Sequence, residues 1–221
     1  TPHARRRVSL VDYEYADLID DQDKVRMLID PTSAYAQAAA AAMGRAMDDE
    51  IIASALGTAF TGETGSTSTA LPAGQQIADG SADMSLAKLR EAKKILDLAD
   101  VDPSIPRYIA CGPDQIEALL ADTNVTSSDF NTVKALVQGE VNQFMGFNFI
   151  VTNRLAKSGN IRSCFAWAED GLALAVGRDV MARIDERSDK GYATQVYYCM
   201  SIGSTRMEEE KVVKIDCDES A

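Results

Sequence analysis

The sequence predicts an α+β fold, and three observations carry that expectation: one long Ala-rich helix pattern, a charged extended segment before it, and strand patterns throughout the C-terminal half. Residues Asp30 to Gly57, DPTSAYAQAAAAAMGRAMDDEIIASALG, read as a single helix of about seven turns, roughly 40 Å long at 1.5 Å per residue. Asp30 is a natural N-cap, Pro31 suits the first helical position, and Gly57 is expected in the left-handed conformation just past the end. Between them Ala34, Ala36, Ala38 to Ala42 and Ala46 supply propensity, while Tyr35, Met43, Met47, Ile51 or Ile52 and Leu56 recur at helical spacing. The small residues let a neighbouring sheet come close. A helix so much longer than the usual three turns is a scaffold element.

Ahead of it, residues 4 to 17 mix β-branched and aromatic residues with charges, in an alternation that changes phase near Leu10-Val11; an extended ribbon with a bulge is expected. Arg5, Arg6 and Arg7 cluster at its start, and Asp12, Glu14, Asp17, Asp20, Asp21 and Asp23 follow. This polar layout suits head-to-tail contacts between copies, although two solvated faces are the plainer reading of the sequence alone. Asp20 or Asp21 caps a short helix through Leu28. After the long helix, residues 58 to 83 are rich in Gly, Ser and Thr and read as loop. Within it Gly57 to Thr64 has the glycine spacing of a phosphate-binding loop, but Glu63 stands where the lysine is needed and the segment follows a helix, so nucleotide binding is rejected.

A helix over Ser85 to Ala99 with an apolar face of Leu86, Leu89, Ala92, Ile95 or Leu96 and Ala99 comes next, then a strand Arg107 to Cys111. Gly112-Pro113 opens a helix Asp114 to Ala121, and a further helix is expected over about Ser128 to Gln138. Beyond residue 140 the period becomes that of strands: Phe147 to Asn153, Ile161 to Ala168 and Leu172 to Gly177 as a meander, then Val180 to Arg187, Tyr192 to Ser201, Thr205 to Glu208 and Lys211 to Cys217. The last pair folds back at Glu209-Glu210, and the acidic tail from Asp216 is expected to fray.

The net charge of −12 disfavours a chain that wraps nucleic acid, which needs a basic surface. No run of about 18 apolar residues is present, so no membrane span is expected, and the chain reads as intracellular. It opens at Thr1-Pro2-His3 without an initiator Met, which suggests a removed upstream portion. Cys111, Cys164, Cys199 and Cys217 lie far apart with no C-x-x-C pair; buried free thiols are expected, Cys217 being the least determined. Asp48-Asp49-Glu50 is the densest carboxylate group on a helix, yet consecutive helical residues point about 100° apart and cannot readily share one ion. His3 has no partner, and Ser163-Cys164 sits in no nucleophile elbow. No catalytic residues, cofactor or metal are therefore expected.

The order of these elements, with IDPTSAYAQAAAAAMGRAMDDEII, GFNFIVTNRL, CFAWAEDGLALAVG and VYYCMSIGSTRMEEEKVV, closely resembles the major capsid proteins of tailed bacteriophages over nearly the whole chain. The most specific pieces are Gly146 to Leu155 and Cys164 to Gly177. The resemblance implies that fold: a long spine helix, a mixed helix and strand axial domain at the capsomer centre, and an extended β-ribbon loop reaching over a neighbour. Residues 1–17 would be the returning limb of that loop, 18–83 peripheral domain with the spine helix at 30–57, 84–177 axial domain, and 178–221 strands returning to the peripheral domain. The family's N-terminal arm and outgoing loop limb are not in this sequence.

By the same resemblance the chain would self-assemble as hexamers and pentamers into the icosahedral shell around a double-stranded DNA genome. Portal and scaffolding proteins would be partners, and the DNA would lie nearby without sequence-specific binding. It would be assembled in the bacterial host cytoplasm and reside in the virion capsid. An acidic inner wall would then not stick to DNA. Arg5, Arg6, Arg7, Asp12 and Glu14 are the candidate subunit-interface residues. The alternatives are a nanocompartment shell protein of the same fold packaging an enzyme cargo, or an enzyme with an unrecognised site.

Overall fold

Apolar residues at helical spacing in one half of the chain and at the two-residue strand period in the other become helices and sheets in the computed structural model, which describes residues 5–20, 32–121 and 143–220. In chain order the elements are β1 (Arg6–Arg7), β2 (Val11–Ile19), α1 (Thr32–Leu56), β3 (Ala59–Thr61), β4 (Thr67–Thr69), β5 (Gln76–Ile77), α2 (Leu86–Leu98), β6 (Arg107–Cys111), α3 (Pro113–Ala121), β7 (Gln143–Phe144), β8 (Phe147–Val151), β9 (Lys157–Ser158), β10 (Ile161–Ala168), β11 (Leu172–Arg187), β12 (Ala193–Arg206) and β13 (Val212–Asp218). They form two units: Thr1–Arg7, Ile52–Ala173 and Thr205–Ala221 in the first, Val8–Ile51 and Leu174–Ser204 in the second. Asp30 and Pro31, the short helix through Leu28 and the helix Ser128 to Gln138 lie outside the described residues.

The first unit is built on a seven-stranded sheet of order β5-β13-β10-β6-β8-β7, with β9 beside β10. β10 pairs antiparallel with both β13 and β6, and β6 pairs parallel with β8. The meander expected for Phe147 to Gly177 is therefore absent: β6 inserts between β8 and β10, and β11 belongs to a different sheet. A central strand buried on both faces explains why IRSCFAWA shows almost no polar alternation. Leu89, Ala92 and Leu96 of α2 pack with Ile109, Phe147, Phe165, Val213 and Ile215 in one core. Each large side chain so buried contributes about 1.5–3 kcal/mol.

The ends of α2 and α3 follow the local chemistry. Ser85 Oγ accepts from Lys88 N at 3.4 Å, and Lys88 Nζ donates to Ala82 O at 2.6 Å and Asp216 O at 2.8 Å, tying α2 to β13. At α3, Gln115 Oε1 accepts from Gly112 N at 3.1 Å, the return half of a capping box. Between β7 and β8 the chain reverses through Met145 at φ 54° and Gly146 at φ 89°, two positive-φ positions that make a two-residue hairpin turn.

Gly57 departs from expectation. It is absent from the positive-φ glycines and donates its N–H to Ala53 O at 2.9 Å; a Cβ there would lie 2.6 Å from that same oxygen. Close approach, not left-handed backbone, is what selects glycine. The stretch 58 to 83 also holds more structure than a loop: β3 pairs with β1 on one side and β4 on the other in a three-stranded sheet, and β5 joins β13 in parallel. Enrichment in Ser and Thr hid these short strands.

In the second unit β11, β12 and β2 form a three-stranded sheet in that order. β2 and β12 are antiparallel, with Tyr13 opposite Met200 and Val11 opposite Ile202. Met43, Ala46 and Met47 of α1 pack with Met200, Ile202, Tyr13, Tyr15 and Tyr198. Ala39 is fully buried while Ala38, Ala40 and Ala41 are exposed, so one member of the alanine run faces inward. The two strands expected at Leu172–Gly177 and Val180–Arg187 are one 16-residue strand, and Thr205 and Arg206 continue β12. The expected fold-back of the last pair at Glu209-Glu210 does not occur, because β12 and β13 enter different sheets.

Candidate assembly surfaces

The arginine cluster at the start of the ribbon is divided by its surroundings. β1 pairs with β3, Arg6 opposite Thr61 and Arg7 opposite Phe60. That register turns the Arg6 side chain inward to 8% exposure, where Nε donates to Met207 O at 2.8 Å and Nη2 meets Glu209 Oε2 at 2.6 Å. Arg7 reaches Thr64 O at 2.5 Å, and Arg5 is exposed. Asp12 and Glu14 lie on β2 opposite Ser201 and Cys199, both exposed. Glu14 adjoins Tyr197, whose hydroxyl is pushed up by burial, by hydrogen bonds with Cys199 and Glu14, and by the Glu14 charge. The five candidates thus fall in two units, the arginines in the first and the carboxylates in the second.

Glu209 also belongs to a buried group that the sequence did not reveal. Arg206, fully buried, donates to Ala55 O at 2.9 Å, Gly57 O at 2.8 Å and Thr69 O at 3.1 Å, and its Nε lies 3.8 Å from Glu209 Oε1. The last turn of α1 carries no basic residue of its own, so Arg206 supplies the cation that the helix carbonyl end favours. Burial pushes the guanidinium down, Glu209 works against that, and Arg6 adds to it. In sequence Thr205 to Glu208 read as a strand with a turn at Glu209-Glu210, and nothing marked Arg206 as buried. Its partners are backbone carbonyls some 150 residues earlier, and no side-chain pattern marks a carbonyl.

A second missed group holds the C-terminus. Glu219 is ion-paired with Arg162 and Lys157, and Gln115 Nε2 donates to it at 3.3 Å. Burial raises this carboxyl, but hydrogen bonds from Arg162, Lys157 and Gln115 outweigh burial and hold it at about 2. The tail expected to fray from Asp216 is instead strand through Asp218 with a clamped Glu219.

All four cysteines are free and buried, Cys217 included. Cys111, Cys164 and Cys217 lie on three neighbouring strands; burial pushes Cys111 up to about 12, and the hydrogen bond with Cys217 together with burial raises Cys164 strongly. In the helix, Glu50 Oε2 accepts from Tyr13 OH at 3.0 Å. Among the described residues no group of three or more His, Cys, Asp or Glu could hold a metal ion, and no described helix is long and apolar enough to cross a membrane.

The comparisons with known proteins agree with this architecture. The capsid of cyanophage P-SCSP1u matches with a TM-score of 0.71 at 18% identity, over 96% of this chain and 73% of that one. The Mycobacterium phage Che8 structure matches with a TM-score of 0.66 at 16% identity, over 97% and 85%. An encapsulin from Synechococcus elongatus, in a holo-SrpI complex, matches with a TM-score of 0.60 at 11% identity, over 97% and 75%. These likenesses establish the tailed-phage capsid fold. No curated protein matches the chain. The family model described as phage capsid protein matches residues 1–219, and the chain therefore belongs to the phage capsid protein family, a family of structural, shell-forming proteins.

Proposed function

We propose that this chain is the major capsid protein of a tailed bacteriophage, assembling as hexamers and pentamers into the icosahedral shell around a double-stranded DNA genome. The observation that carries this reading is the family match over residues 1–219 on a fold shared with phage capsids. In this reading α1 is the spine helix, the seven-stranded sheet with α2 and α3 is the axial domain, β5 and β13 included although residues 18–83 and 178–221 were expected to be peripheral, and residues 1–17 are the returning limb of the extended loop. Arg5 and Arg7, with Asp12 and Glu14, are its candidate contacts to neighbouring copies; Arg6 acts inside the chain through Glu209. The shell forms in the host cytoplasm with portal and scaffolding proteins. A net charge of −12 supports an inner wall that lies near DNA without gripping it. The chain works as a structural protein without catalysis.

The encapsulin likeness favours one second reading, a nanocompartment shell that packages an enzyme. Negative-stain imaging of the assembled chain separates them: a large shell with a tail vertex supports the phage reading, a small tailless shell supports the compartment, and no shell refutes both.

A further inference from the structure

One side of α2 stands out in this acidic chain. The helix carries Lys88, Arg90, Lys93 and Lys94 against Glu91 and Asp97, and Asp97 is spent on Arg107 at 2.7 Å. Lys88 is buried and occupied by Ala82 O and Asp216 O, which leaves Arg90, Lys93 and Lys94 as the outward cations. Beside them Leu98 is 72% exposed, far more than an isolated leucine needs to be. Lys93 and Met145 line an open groove of about 510 Å³ whose wall includes Arg107, itself 6% exposed with an Nε that has no hydrogen-bond partner among the described residues. Met145 is held there at φ 54°, a region that a long unbranched side chain rarely occupies. An apolar centre flanked by cations is the pattern of a docking surface.

The complementary pattern occurs on the same chain. Leu10 and Val11 are 50% and 44% exposed, Asp12 and Glu14 are exposed, and β2 contains carboxylates but no cation. We propose that Leu10 to Glu14 of one copy docks against the α2 groove of a second copy, with Asp12 and Glu14 over Arg90, Lys93 and Lys94 and the apolar pair against Leu98 and Met145. This rests on the shell-forming reading above and names a contact within it. A polyphosphate is the poorer occupant, since Glu91, Asp97 and Asp100 interrupt the positive field and an exposed Leu98 offers a phosphate nothing. A segment with two carboxylates next to two exposed apolar residues matches both halves of the surface.

Charge reversal with rescue tests it. D12K/E14K, K93E/K94E and the combined four-residue variant are compared with wild type for shell formation at low salt, by light scattering and negative stain, after circular dichroism confirms that each chain folds. Each reversed pair should slow assembly by about tenfold or more, the combined variant should recover to within about threefold of wild type, and the neutral D12N/E14Q should lose less and flatten the salt dependence. Unchanged assembly in both reversed pairs, or a combined variant no better than either, overturns the contact while leaving the shell reading intact. Particles of K93E/K94E that form at the wild-type rate but retain less nucleic acid assign the groove to nucleic acid and also overturn it. A folded wild-type chain that forms no particle under any assembly condition removes the shell reading, and the inference falls with it.

Discussion

Replacing Arg206 by Met tests whether the end of α1 is anchored as described. The substitution keeps much of the volume and removes every donor. Three charge-assisted hydrogen bonds, to Ala55 O, Gly57 O and Thr69 O, are lost together. At roughly 1.5–3 kcal/mol each they set a gross loss of about 4.5–9 kcal/mol. The loss is offset because a fully buried guanidinium is itself costly to desolvate, and because Glu209 keeps Arg6 as a partner. Breaking one side of a buried charged group nets about 3–5 kcal/mol. For chains of roughly 150–250 residues each kcal/mol moves Tm by about 2–4 °C, so Arg206→Met should lower Tm by roughly 6–20 °C. Arg206→Lys should fall between, since one ammonium cannot fork to three separated carbonyls. The assay is thermal unfolding of the purified chain, with hydrogen exchange at Leu56 and Gly57 reporting the helix end. An Arg206→Met chain within about 1 kcal/mol of wild type would refute the anchoring argument.

The other expectations are local. Glu219 has a folded value of about 2 against an ordinary 4.5, so its contribution is complete above about pH 4.5 and is lost as pH falls from there toward 2. Urea midpoints should therefore drop through that window in wild type, and Glu219→Gln should cost about 1.5–3 kcal/mol at pH 7 while showing a shallower acid limb. Ala39→Leu should overpack α1 by about 1–3 kcal/mol whereas Ala40→Leu and Ala41→Leu stay within about 0.5 kcal/mol, measured by denaturant unfolding; equal effects at all three would contradict the inward face. Thiol titration at pH 8 should find Cys111, Cys164, Cys199 and Cys217 silent until denaturant is added, and a bridged pair in intact-mass analysis would overturn their assignment as free thiols.

Helix α1, the apolar face of α2 and the strands β6 and β10 were legible in the sequence, because each rests on spacing between near neighbours. The capsid family was legible too, since a resemblance spread along the chain needs no contacts. What stayed hidden depends on partners distant in sequence. Strand order was one: β6 slips between β8 and β10, where both of its edges are hydrogen-bonded, a choice that no local alternation encodes. The fate of single charges was another. Arg5, Arg6 and Arg7 look alike in sequence, and pairing with β3 turns Arg6 inward to Glu209 while Arg5 remains exposed. Nothing in the sequence marks Arg206, Arg162 and Glu219 as buried, because composition counts charge and not its surroundings. By itself the sequence determined the strongly periodic helices, the apolar strands and what family they make; tertiary structure decided strand order and which charges are buried, because desolvation and pairing exist only once distant segments meet.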